Sequence, residues 1–215
     1  MQMPSRRASG RHIPARPRRG GFSRETDLRR LNEIRDEFRS ILVLTNGEST
    51  EIDYFTAVKS ESWISAGKVI VKFENGEPSA VVLRAAALRD ENDYDEAWAV
   101  CDLDEYDVTS AITDAGTMQV GLTLSVPSFE VWLILHLSDA CPGFNNAKQV
   151  DRFLKKIMPT WDKSSLRFCD FEAGIQDAVV RAKRLGEPPS ANPSSAVWRL
   201  IESLARTAEG SPGSS

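Results

Sequence analysis

The chain has 215 residues, 41% of them hydrophobic and 27% charged, with five Trp and nine Phe, a composition suited to one packed domain with a helical extension. Its longest apolar run, residues 131–137, is too short to cross a bilayer, and Cys101, Cys141 and Cys169 show neither metal-ligand spacing nor the even count of a disulfide framework. Membrane-spanning and disulfide-stapled classes are set aside, and a reducing, cytoplasmic setting is expected.

The net charge of −4 divides unevenly along the chain. Residues 1–21 hold Arg6, Arg7, Arg11, Arg16, Arg18 and Arg19 and no acid, so the remainder carries about −10. Pro4, Pro14 and Pro17 interrupt any regular helix, so residues 1–22 read as a basic, disordered arm rather than an amphipathic transit peptide. Its arginines suit nonspecific contact with nucleic-acid phosphates; a solubilising tail is the other reading.

Residues 23–39 follow, with Leu28, Leu31, Ile34 and Phe38 at helical spacing behind Ser23 as a candidate N-cap. "SILVLT", 40–45, is a continuous apolar run typical of a strand covered on both faces. The chain turns at Asn46-Gly47 and enters a helix carrying Ile52, Phe55 and Val58. "KVIVKF", 68–73, predicts a second strand, and 77–91 a helix with Pro78 in its first turn. "EAWAVCD", 96–102, is the third strand, with Cys101 as a small core residue. A helix over 105–116 ending at Gly116, a fourth strand over 118–124 and an apolar helix over 126–137 complete the series.

Four strand-then-helix units predict an α/β fold: about four parallel strands flanked by helices, with the core at about 39–138. Beyond Asn145 only helical periodicity is visible, over 146–158, roughly 170–185 and 194–208, which predicts a helical portion over about 145–208. Residues 23–208 are thus one domain, and 209–215 a disordered tail.

Ligands of open parallel sheets collect at the carboxyl ends of the strands. Two acidic segments fall there: "TNGESTE", with Glu48 and Glu51, and "CDLDEYD", with Asp102 and Asp104. Carboxylates two residues apart in extended chain point to one side and can share a hard cation such as Mg²⁺. A solvated acidic loop with helix-capping aspartates is the structural alternative. No phosphate-binding G-x-x-x-x-G-K-[ST] stretch is present, and two histidines are too few for a His-based zinc site.

The order of "ILVLTNGESTEIDYF", "YDEAWAVCDLDEYD", "LTLSVPSFEVWLILHL" and "NPSSAVWRLIESL" resembles the RloB family, over about residues 39–204. The resemblance implies a TOPRIM-like fold. It also implies nucleic-acid cleavage supported by Mg²⁺ or Mn²⁺, a role in anti-phage defence and a partner ATPase from the same locus. On the family pattern a glutamate after the first strand, in a C-E-G-E-x-T-E stretch, faces the D-x-D across a metal-binding cleft. Asp102 and Asp104 match that D-x-D, and Gly47, Glu48, Thr50 and Glu51 match the rest of the first block. Ser125, Pro127, Phe129 and Glu130 match part of an S-N-P-C-F-E block, and His136 an L-H-F.

The chain departs from that pattern at three points of one cleft. Asn46 stands where the glutamate is expected, Leu103 where Arg is common between the aspartates, and Val126 and Ser128 replace Asn and Cys. Asparagine offers a metal one neutral oxygen but neither charge nor a base. Asp102 and Asp104, with Asn46 and Glu48, are the expected metal ligands; Glu130 and Glu48 join the aspartates as catalytic candidates. Glu48 and Glu51 could each substitute for the missing carboxylate; the structural readings are an exposed acid favoured by the helix dipole for Glu48 and a first-turn residue with a structural role for Glu51. Glu130, in an otherwise apolar helix, needs a partner if buried. His136 reads as a satisfied core histidine. Two functions follow: a metal-dependent nuclease, or a catalytically degenerate module that binds nucleic acid or the partner ATPase.

Overall fold

Strand β1 (Ser40–Thr45) explains the architecture, because its side chains divide between two cores. Ile41 and Val43 point into one cluster and Leu42 and Leu44 into the other, all fully buried, as the two-residue period of a strand covered on both sides requires. The computed structural model describes residues 39–103 and 108–206. The expected basic arm, all but the last residue of the 23–39 helix, Asp104 and the 209–215 tail lie outside the described residues.

The elements run β1, α1 (Thr50–Val58), β2 (Lys68–Phe73), α2 (Pro78–Asn92), β3 (Glu96–Asp102), α3 (Thr109–Met118), β4 (Gly121–Val126), α4 (Glu130–Leu137), α5 (Ala147–Ile157), α6 (Ile175–Leu185), β5 (Ser194–Ser195) and α7 (Val197–Ala205). The sheet order is β2-β1-β3-β4-β5, with the first four strands parallel and β5 antiparallel to β4. This is the α/β architecture anticipated, consistent with a TOPRIM-like fold. Helices α2 and α3 pack on the face where β3 presents only Ala97, Ala99 and Cys101, small side chains that admit close helix approach. The opposite face carries the larger core, built around Tyr54, Trp132, Phe129 and Phe171 with α4 to α7.

Three expectations are corrected. The sheet has five strands rather than four: Ser194 and Ser195, in a stretch read as helical, pair with Val126 and Ser125. Two residues show no periodicity; their place is set by burial and by the 3.0 Å contact between the Ser125 and Ser195 hydroxyls. Helix α3 runs past Gly116 to Met118 and ends where Gln119 adopts a left-handed φ of 54°, its N–H donating to the Ala115 carbonyl. Strand β4 starts at Gly121, not residue 118, and there a Cβ would overlap the Trp98 ring of the neighbouring strand. Ahead of α6 the chain makes two 3₁₀ turns, Phe168–Asp170 and Glu172–Gly174.

Candidate acidic site at the sheet edge

The carboxyl ends of β1 and β3 are tied together by Asn46. Its N–H donates to the Val100 carbonyl at 3.0 Å, and its Oδ1 accepts the Asp102 N–H at 3.3 Å. Asp102 ends β3 half-buried, in register with Ser125 of β4, and its carboxylate accepts the Phe129 N–H. Leu103 continues the ladder through its N–H to the Ser125 carbonyl at 2.9 Å and packs on the α2–α3 core. The residue between the two aspartates is therefore a structural one.

Of the two glutamates after β1, the structure turns Glu51 inward and leaves Glu48 exposed. Glu51, on the first turn of α1, is buried, and its carboxylate folds back toward its own N–H. It lies over Gly47, where any Cβ would overlap it. Helix α1 has no side-chain N-cap hydrogen bond, and the Glu51 carboxylate takes up one amide of that first turn, its own. Of the two candidate stand-ins for the missing carboxylate, Glu51 is the one that joins the acidic group, from the first turn expected of it.

Glu130 opens α4 almost fully buried, and each of its oxygens has a partner. Oε2 accepts the Ser128 hydroxyl at 2.6 Å, and Oε1 lies 2.7 Å from the Lys163 Nζ. Lys163 comes from the loop after α5. The Thr50 hydroxyl donates to its carbonyl at 3.3 Å, and Asp162 Oδ1 fixes the turn by accepting the Ser164 N–H and hydroxyl at 2.9 and 2.7 Å. Trp161, buried just ahead, donates its indole N–H to Asp151 at 2.9 Å and anchors the loop to α5.

Three carboxylates and one ammonium thus share a field of low dielectric. Burial, then the Glu130 charge, pushes Glu51 up to about 7, against its own backbone N–H and Lys163. Burial, then Glu51 and Glu130, raises Asp102 well above the usual carboxylate range, against Lys163 and the Phe129 N–H. Burial disfavours the Lys163 charge, but Glu130, Asp102 and Glu51 outweigh it and raise the ammonium's pKa.

His136 takes no part. Its Nδ1–H donates to the Phe171 carbonyl at 2.7 Å and Nε2 accepts the Tyr54 hydroxyl at 3.2 Å, and burial lowers its pKa to about 4, so it is a neutral core residue. Glu51 was legible as an acid but not as an inward-facing one. Lys163 carried no sequence signal, being thirty-three residues from its partner Glu130. The arginines of residues 1–21 and Asp104 lie outside the described residues.

Whether a metal ion fits rests on the donor set. Every donor is oxygen, which suits a hard divalent cation, and one lysine faces three carboxylates whose mutual repulsion it only partly offsets. Among the described residues no three His, Cys, Asp or Glu side chains are already grouped as ligands. No helix among them is long and apolar enough to cross a membrane. Compared with known families, the model described as RloB-like protein matches residues 41–204. The comparisons with curated proteins and with solved structures give no match.

Proposed function

The chain belongs to the RloB-like family, and we propose that it is a metal-dependent nuclease cleaving phosphodiester bonds of nucleic acid in anti-phage defence, alongside a partner ATPase. The observation that carries the chemistry is the convergence of Glu51, Asp102 and Glu130 around Lys163 at the carboxyl ends of parallel strands. Defence and the ATPase rest on family likeness alone. Asp102 and Glu51 would hold Mg²⁺ or Mn²⁺, with Asp104 as the further aspartate and the remaining lone pair of Asn46 Oδ1 as a neutral donor. When bound, such an ion would polarise a phosphoryl oxygen and lower the pKa of an attacking water. Lys163, more than half exposed while paired to Glu130, is placed to meet a phosphate oxygen from solvent. Glu130, held by Ser128 and Lys163, keeps that ammonium in place.

A noncatalytic module is the second reading, favoured by one observation: Asn46 Oδ1 already accepts the Asp102 N–H, and both Glu130 oxygens are engaged. One set of measurements separates the two. Ionised carboxylates bind a divalent ion and protons compete, so Mn²⁺ is expected to raise the Tm at pH 8 and not at pH 5. Asp102→Asn is expected to abolish that shift and to lower Mn²⁺-dependent cleavage of a labelled single strand by about 10²-fold or more. Cleavage that persists in EDTA, or at the wild-type rate in Asp102→Asn, would overturn the nuclease. Metal binding without cleavage would favour the module.

A further inference from the structure

Among the described residues six lysines and arginines make no ion pair: Lys59, Lys68, Lys72, Lys148, Arg152 and Lys156. Half of them sit on α5, spaced four residues apart, so they form one exposed row roughly 12 Å long. Residues 147–167 hold six Lys or Arg against two Asp, a formal +4 within a chain of net −4. Both aspartates are already engaged. Asp151 pairs with Lys155 at 3.2 Å and accepts the Trp161 N–H, and Asp162 holds the turn at Ser164. The positive charge of the row is left to solvent.

The row borders two open depressions. One, of about 390 Å³, is lined by Lys148, Asp151, Arg152 and Lys163; the other, of about 340 Å³, by Phe144, Gln149, Arg152, Phe153 and Lys156. Arg152 belongs to both. Lys163 belongs to the first and reaches Glu130 at 2.7 Å, so the basic face runs directly into the acidic site. Phe153 is half-buried against Phe144, their ring centres 5.6 Å apart, and lines the second depression together with Arg152 and Lys156. Cations in a row beside an accessible aromatic ring are the elements of single-strand recognition: charge follows the backbone and the ring stacks an unpaired base.

We infer that the α5 face is a track for single-stranded nucleic acid, with Lys148, Arg152 and Lys156 gripping successive phosphates and Lys163 passing the strand to the acidic site. The destination rests on the nuclease reading; the binding does not. The test is fluorescence anisotropy of the full chain with labelled single-stranded RNA or DNA in EDTA, across a KCl series. The triple variant Lys148→Gln, Arg152→Gln, Lys156→Gln keeps helix-forming residues at exposed positions. It is expected to bind about tenfold or more weakly and to lose about 2–3 from the slope of log affinity against log salt, one increment per released phosphate contact. The track is overturned if the triple variant matches wild type in affinity and slope, or if wild type binds neither strand. It is equally overturned if replacing the six arginines of residues 1–21 removes all binding while the triple variant removes none, or if a duplex binds more tightly. Track-dependent binding without Mn²⁺-dependent cleavage would uphold the track and sink the nuclease.

Discussion

Glu51 and Glu48 sit three residues apart after the same strand, and their fates are set by different neighbours. Gly47 leaves room under the first turn of α1 for the Glu51 carboxylate, while Glu48 stays in water. Burial, reinforced by Glu130, raises Glu51 from an ordinary 4.5 to about 7. Between those values the folded chain holds a proton that the unfolded chain has released, so stability falls as pH rises through that window. Glu51→Gln removes this difference. It is expected to flatten the fall and to gain up to about 3 kcal/mol above pH 7 relative to wild type. Urea midpoints across the window check it; parallel pH profiles for the two proteins would contradict the assignment.

At the scale of elements, the loop between α5 and the first 3₁₀ turn bridges the starts of α1 and α4 beside the acidic site. It is anchored by Trp161 on Asp151, shaped by Asp162 and tied to α1 through Thr50. Its one cation at the site is shared among three acids, so its removal should matter most when they are ionised. Lys163→Met is expected to cost about 1 kcal/mol at pH 8, a modest figure because the ammonium is more than half exposed, and less at pH 5. Thermal melts at the two pH values read this out. A loss that is equal at both would assign Lys163 a packing role instead of an electrostatic one.

For the whole molecule, Glu96 at the start of β3 joins residues that flank the two ends of the family-matching segment. Its carboxylate accepts the Trp98 indole N–H at 3.1 Å and the Ser203 hydroxyl at 2.7 Å, and pairs with Arg39 at 3.0 Å and Arg206 at 2.9 Å. Arg39 also donates to the Ser203 carbonyl. The network fastens α7 and the approach to β1 to the amino-terminal edge of the sheet, opposite the acidic site. Glu96→Ala leaves these donors without their shared acceptor and is expected to destabilise the fold by about 2–3 kcal/mol, without altering Mn²⁺ binding. Urea unfolding and calorimetry check the two halves of that statement.

Much of this architecture was written in the order of residues. β1, β2 and β3 span the residues expected of them; the central β1, covered on both faces, holds a fully buried apolar run, while the edge strand β2 keeps Lys68 and Lys72 exposed. The strand–helix alternation dictated a parallel sheet, and Asp102 was legible as an acid at a strand's carboxyl end. Packing settled the rest. Ser194 and Ser195 became a strand only because β4 offered an edge, and Gln119 rather than Gly116 ended α3 because the helix could continue. Sequence placed Glu48, Glu51 and Glu130 near a site, but could not tell which would lose water. That choice, and the arrival of Lys163 from a distant loop, depends on contacts between segments far apart in the chain. The chemistry of each side chain is local, whereas its burial and charge partners belong to the folded whole.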